Sequence, residues 1–97
     1  MDISLELTLT PLKDEYIPSI KSFIKSIRNS DFQIMENPLS TQIYGDYDAI
    51  MSFLIPQIKK TFLKEKAVVL QLKLVKGDRS QYEPDFWIFN WALQSIP

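Results

Sequence analysis

A chain of 97 residues has room for one domain, and 45% hydrophobic with 24% charged residues is the composition of a folded protein, not a disordered one. Eleven basic and twelve acidic residues leave a net charge of −1, which lacks the basic footprint of a nucleic-acid binder. With neither Cys nor His there is no disulfide framework, no thiolate nucleophile and no imidazole base or ligand. Carboxylate-only catalysis through Glu6, Asp46 or Asp48 stays open as a third class, but helix capping explains the two Asp residues. A non-catalytic protein without metal or cofactor is expected.

Along the chain, Ile3, Leu5, Leu7 and Leu9 alternate with Ser4, Glu6, Thr8 and Thr10, the period of a strand with one apolar face. Pro11 should end it, since proline has no N–H for the ladder. Asp14 is placed to cap a helix carrying Ile17, Ile20, Phe23, Ile24 and Ile27, and Pro18 fixes its start near residues 14–16. A second strand is predicted from Asp31 to Asn37. Asn37-Pro38-Leu39 then turns the chain into a third over Ser40–Tyr44.

Asp46 or Asp48 should cap a second helix with Ile50, Phe53, Leu54, Ile58 and Phe62 on its apolar side. Pro56 lies inside it and predicts a kink or a helix in two pieces. Lys59, Lys60, Lys64 and Lys66 read as a solvated helix end suited to the negative pole of the dipole. The last strand, Ala67–Val75, should turn Val68, Leu70, Leu72 and Leu74 inward.

The order βαββαβ predicts an α+β, ferredoxin-like domain over residues 1–77: a four-stranded antiparallel sheet with both helices on one face. Residues 78–97 are an extension. In it Pro84–Leu93 reads as an aromatic C-terminal helix, with Phe86, Trp87, Phe89 and Trp91, packed on its own domain or a neighbouring subunit. It lacks the basic polar face of a membrane-surface helix. No apolar run approaches the length of a membrane span, and the N-terminus has no signal-peptide pattern, so a cytoplasmic protein is expected.

In this arrangement the sheet face away from the helices shows Glu6 and Thr8 beside Gln42 and Tyr44, a mixed surface that suits a ligand or a second copy. Three runs carry a resemblance: Leu5-Glu6-Leu7-Thr8-Leu9-Thr10-Pro11-Leu12, Tyr16-Ile17-Pro18-Ser19-Ile20-Lys21, and Asn37 through Asp48, most specific from Ser40. Together they resemble the thiamine-binding protein-like (YkoF-like) family. The resemblance implies a ferredoxin-like domain that associates through its sheets, as a homodimer or homotetramer. It also implies non-catalytic binding of thiamine or its hydroxymethylpyrimidine moiety, with Ser40, Thr41 and Gln42 as site candidates.

The chemistry of the residues adds Glu6, which could accept from an exocyclic amine, and Tyr44, which could stack on a ring. Ordinary strand roles remain open for Ser40 and Gln42, as does a core methyl for Thr41 and a dimer ion pair for Glu6. The second function class is an oligomeric structural or interaction module with no small ligand.

Overall fold

The structure, a computed structural model, describes residues 1–82. The elements are β1 (Asp2–Pro11), α1 (Ile17–Arg28), β2 (Gln33–Glu36), β3 (Thr41–Asp46), α2 (Tyr47–Lys64) and β4 (Val68–Lys76). All neighbouring strands pair antiparallel in the order β2-β3-β1-β4. This is the ferredoxin-like α+β arrangement that the element order predicts. The aromatic helix expected over Pro84–Leu93 lies outside the described residues. Among the described residues, no helix is long and apolar enough to cross a membrane.

The period-two pattern of β1 puts Ile3, Leu5, Leu7 and Leu9 on one face. There they meet Ile43 of β3, Phe23 and Ile27 of α1, and Ile50 and Leu54 of α2, all buried in one cluster. Both helices therefore pack on the same side. The strand alternation hands the opposite face to Ser4, Glu6 and Thr8.

Local chemistry sets the boundaries. The Asn37 side chain closes the β2–β3 hairpin: its Oδ1 accepts from the Leu39 and Ser40 amides at 2.8 and 3.0 Å. Asp46 caps α2 by accepting from the Ala49 amide at 3.2 Å. Asp14 makes no such cap. The α1 N-cap is Tyr16, with no side-chain bond, because Pro18 in the first turn sets the start two residues further on.

α2 also departs from expectation. It runs unbroken through Pro56 as one 18-residue helix. Pro56 and Ser52 both face solvent, so the Ser52 carbonyl that loses its helical partner is left to water. The apolar side of β4 differs too. Leu72 and Leu74 lie on the helix face but are 41% and 46% exposed. α2 starts directly from the end of β3 and returns only at the start of β4, so among the described residues no helix covers the far corner of that strand.

The cap gives a pH signature. The Ala49 amide, followed by the amino terminus, holds the Asp46 carboxyl below its ordinary value of 3.8. A lowered folded-state value contributes stability above the unfolded value, and that stability is lost as pH falls through the folded one. Asp46→Ala should therefore lower the melting temperature at pH 7 and narrow the gap to wild type as pH drops below about 4. Thermal melts from pH 7 to pH 2.5 check this, and a gap constant across that range would contradict it.

Candidate functional site

On the outer sheet face, Glu6 of β1 stands in register between Gln42 of β3 and Lys73 of β4. Directly opposed side chains in such a row lie about 5 Å apart at Cβ, close enough to act on one small molecule. Ser40 Oγ donates to Glu6 Oε2 at 3.0 Å, which steadies the carboxylate and leaves its other oxygen open. The Tyr44 hydroxyl donates to Gln42 Oε1 at 2.7 Å. With its carbonyl occupied, the Gln42 amide offers its two N–H donors outward.

These groups form the floor of a concavity of about 320 Å³. Met35 of β2 and Val75 of β4 supply apolar sides, and Arg79, Ser80 and Tyr82 form a wall. That wall exists because the chain doubles back over the sheet after Gly77. Gly77 adopts φ +97°, in the region that disfavours any side chain. The buried Ser4 then holds the returning segment: its hydroxyl donates to the Gly77 carbonyl at 2.9 Å and accepts from the Arg79 amide at 2.8 Å. Asp78 completes the turn by accepting from the Ser80 amide at 2.8 Å.

The structure thus brings Glu6, Gln42 and Tyr44 together in one cavity, with Ser40 behind Glu6. Thr41 is on the other face. It is 5% exposed and lines the helix side with Leu7 and Phe23, because strand alternation sends residues 40 and 42 one way and 41 the other. Arg79, Ser80 and Tyr82 did not figure in the sequence reading. Gly77-Asp78 has the residue types of a turn, but nothing local says onto which face the chain returns.

A second groove, of about 340 Å³, runs between α1 and α2 and includes Ser22, Ser26, Lys25, Lys60 and Lys64. The Ser26 hydroxyl donates to the Phe23 carbonyl, and Glu65 at the groove's end pairs with Lys13 at 2.9 Å. Its polar groups are therefore partly committed to the protein itself, and the sheet-face cavity is the better candidate. Among the described residues no cluster of acidic side chains suits a metal ion.

No family model and no curated protein matches the chain. Solved structures do match in fold. A protein of Streptococcus pneumoniae superposes with a TM-score of 0.73 at 18% identity, over 98% of this chain and 100% of that one. A Thermotoga maritima protein, provisionally named for thiamine biosynthesis/salvage, gives 0.71 at 15% identity, over 94% and 99%. A domain of unknown function (DUF77) from Bacillus cereus gives 0.65 at 13%, over 94% and 90%. The chain is similar to these proteins in fold, along nearly its whole length.

Proposed function

We propose that this protein binds a small, neutral aminopyrimidine, such as the hydroxymethylpyrimidine moiety of thiamine, without catalysing a reaction on it. The observation that carries the reading is the adjacent pairing of a carboxylate acceptor, Glu6, with an amide donor, Gln42, on the floor of one cavity. An aminopyrimidine presents an amine and a ring nitrogen side by side, which asks for one acceptor and one donor at that spacing. The aromatic body of Tyr44 and the side chain of Met35 provide the apolar surface for the ring. The name of the Thermotoga neighbour agrees with such a ligand. Lys73 and Arg79 stand against a single Glu6 in the same cavity, a balance that disfavours a cationic thiazolium and selects the pyrimidine half.

Titration calorimetry with hydroxymethylpyrimidine and with thiamine tests this, and the former is expected to bind more tightly. Removing one neutral hydrogen bond costs about 0.5–1.5 kcal/mol, so Gln42→Ala should weaken binding roughly 2- to 13-fold. Thr41→Ser should leave affinity unchanged, because Thr41 faces the core. If neither compound binds at millimolar concentration, the ligand reading fails.

The second reading, an interaction module that pairs sheet to sheet as a homodimer or homotetramer, rests on the 47% exposure of Met35 and 45% of Val69 on this same face. A dimeric mass by light scattering, abolished by Met35→Lys with no ligand bound, would support it.

A further inference from the structure

The two helices are charged unlike the rest of the chain. They carry Lys21, Lys25, Arg28, Lys59, Lys60 and Lys64 against one acid, Asp48, in a protein whose net charge is −1. Three of these lysines, Lys25, Lys60 and Lys64, line the groove of about 340 Å³ between α1 and α2. Glu65 is the one carboxylate lining it among the described residues, and Lys13 engages that group at 2.9 Å. The other ion pairs among the described residues are Met1–Asp46 and Arg28–Glu36, so the three lysines have no acidic partner there at ion-pair distance.

Helix chemistry accounts for only part of this cluster. Lys25 and Lys64 lie in the last turns of their helices, where a cation suits the negative end of the dipole. Lys60 lies before the last turn. It stands four residues ahead of Lys64, so two ammonium groups repel each other along one side of α2. Across the groove α1 adds Lys25, not the acid that would relieve them. Within this rim the lining is polar. Ser26, Gln57 and Thr61 are half-buried beside the buried Phe23, and the exposed Ser22 lies at the lip.

We propose that this groove binds a small phosphorylated metabolite, a phosphomonoester or a pyrophosphate. Lys25, Lys60 and Lys64 meet the phosphate oxygens, and the Ser22 and Thr61 hydroxyls and the Gln57 amide donate to them. A phosphate group offers several acceptor oxygens and carries about two negative charges near neutral pH, which matches a site built of cations and neutral donors. Placed between the three lysines, it replaces their mutual repulsion with attraction. The volume is at the small end of ligand pockets and suits a phosphate on a compact organic body. The groove lies between the helices and the aminopyrimidine cavity on the opposite face of the sheet, so the two sites fill independently.

Inorganic pyrophosphate is the probe, titrated by calorimetry and by amide chemical shifts. At about 0.15 M salt, charges more than about 8 Å apart are largely screened, so only groups at the site should matter. Saturable binding at millimolar concentration or below is expected, with shifts concentrated between Ser22 and Asn29 and between Gln57 and Lys64. Lys60→Glu puts a repulsion where an attraction stood and should weaken binding at least roughly tenfold. Lys59→Glu makes the same change in net charge about 100° away around the helix, outside the groove, and should cost no more than about twofold. Both lysines are exposed, so both variants should keep the wild-type circular dichroism spectrum.

Equal losses in the two variants would reduce the effect to diffuse charge attraction and overturn the proposal. So would the absence of saturable binding, or shifts that map to Lys73 and Arg79 of the sheet-face cavity. Vesicles containing phosphatidic acid form a second arm. Retention of the chain on them, without saturable binding of pyrophosphate, would assign these lysines to a membrane surface and overturn the small-molecule site.

Discussion

Ile43→Ala is expected to destabilise the protein by about 2–5 kcal/mol, the range for truncating a fully buried aliphatic side chain. Ile43 is 0% exposed and sits in register with Leu5 on one side and Ile34 on the other, in the middle of the sheet. Strands hold it from both sides and the buried cluster of both helices covers it, so the cavity has little freedom to collapse. A domain of this size has only about 5–15 kcal/mol in total, and each kcal/mol shifts the melting temperature by about 4–8 °C. The midpoint should therefore fall by at least about 8 °C. Leu72→Ala removes a similar number of atoms from the same sheet face but from a site left 41% exposed. Measured where the protein is monomeric, it should cost less than half as much. Denaturant melts of the two variants decide the matter, and equal losses would contradict the burial described.

Ser4→Ala is expected to free the segment from Gly77 to Tyr82 from the outer sheet face. Two hydrogen bonds are lost, to the Gly77 carbonyl and from the Arg79 amide, at about 0.5–1.5 kcal/mol each. The loss of roughly 1–3 kcal/mol falls on one short segment and not on the core. Hydrogen exchange at the Arg79 amide should accelerate roughly 5- to 150-fold, while amides of β1 and β3 keep their rates. Because Arg79, Ser80 and Tyr82 wall the cavity, affinity for hydroxymethylpyrimidine should fall as well, with Glu6 and Gln42 untouched. A variant that exchanges faster at Arg79 yet binds as tightly as wild type would remove the wall from the site while leaving the floor in place.

Much of this protein is legible in its sequence because two-residue and 3.6-residue periodicities are local. The alternation of Ile3 through Leu9 assigns each residue of β1 to a face, and the turn at Asn37-Pro38-Leu39 needs only a side chain bonding to its own next two amides. The same alternation, applied strictly, also separates Thr41 from Gln42. Grouping Ser40, Thr41 and Gln42 as one polar run followed a family resemblance and passed over the strand's period. The helix start at Tyr16 was harder to see, since Asp14 has the chemistry of a cap but Pro18 has the geometry that decides.

By itself, the sequence determined the element order, the faces of the strands, the place of Glu6, Gln42 and Tyr44 on one surface, and the want of thiol or imidazole chemistry. Only the tertiary structure decided three further things. α2 passes intact through Pro56, because the carbonyl it orphans happens to face water. Leu72 and Leu74 are left partly exposed by the described helices, because helix coverage depends on where α2 crosses the sheet and not on any pattern within β4. The chain after Gly77 returns over the cavity, because a hydroxyl on β1 holds a carbonyl and an amide 73 and 75 residues away. Contacts between residues so distant in sequence leave no periodic trace in it, so they become visible only when the sheet is assembled.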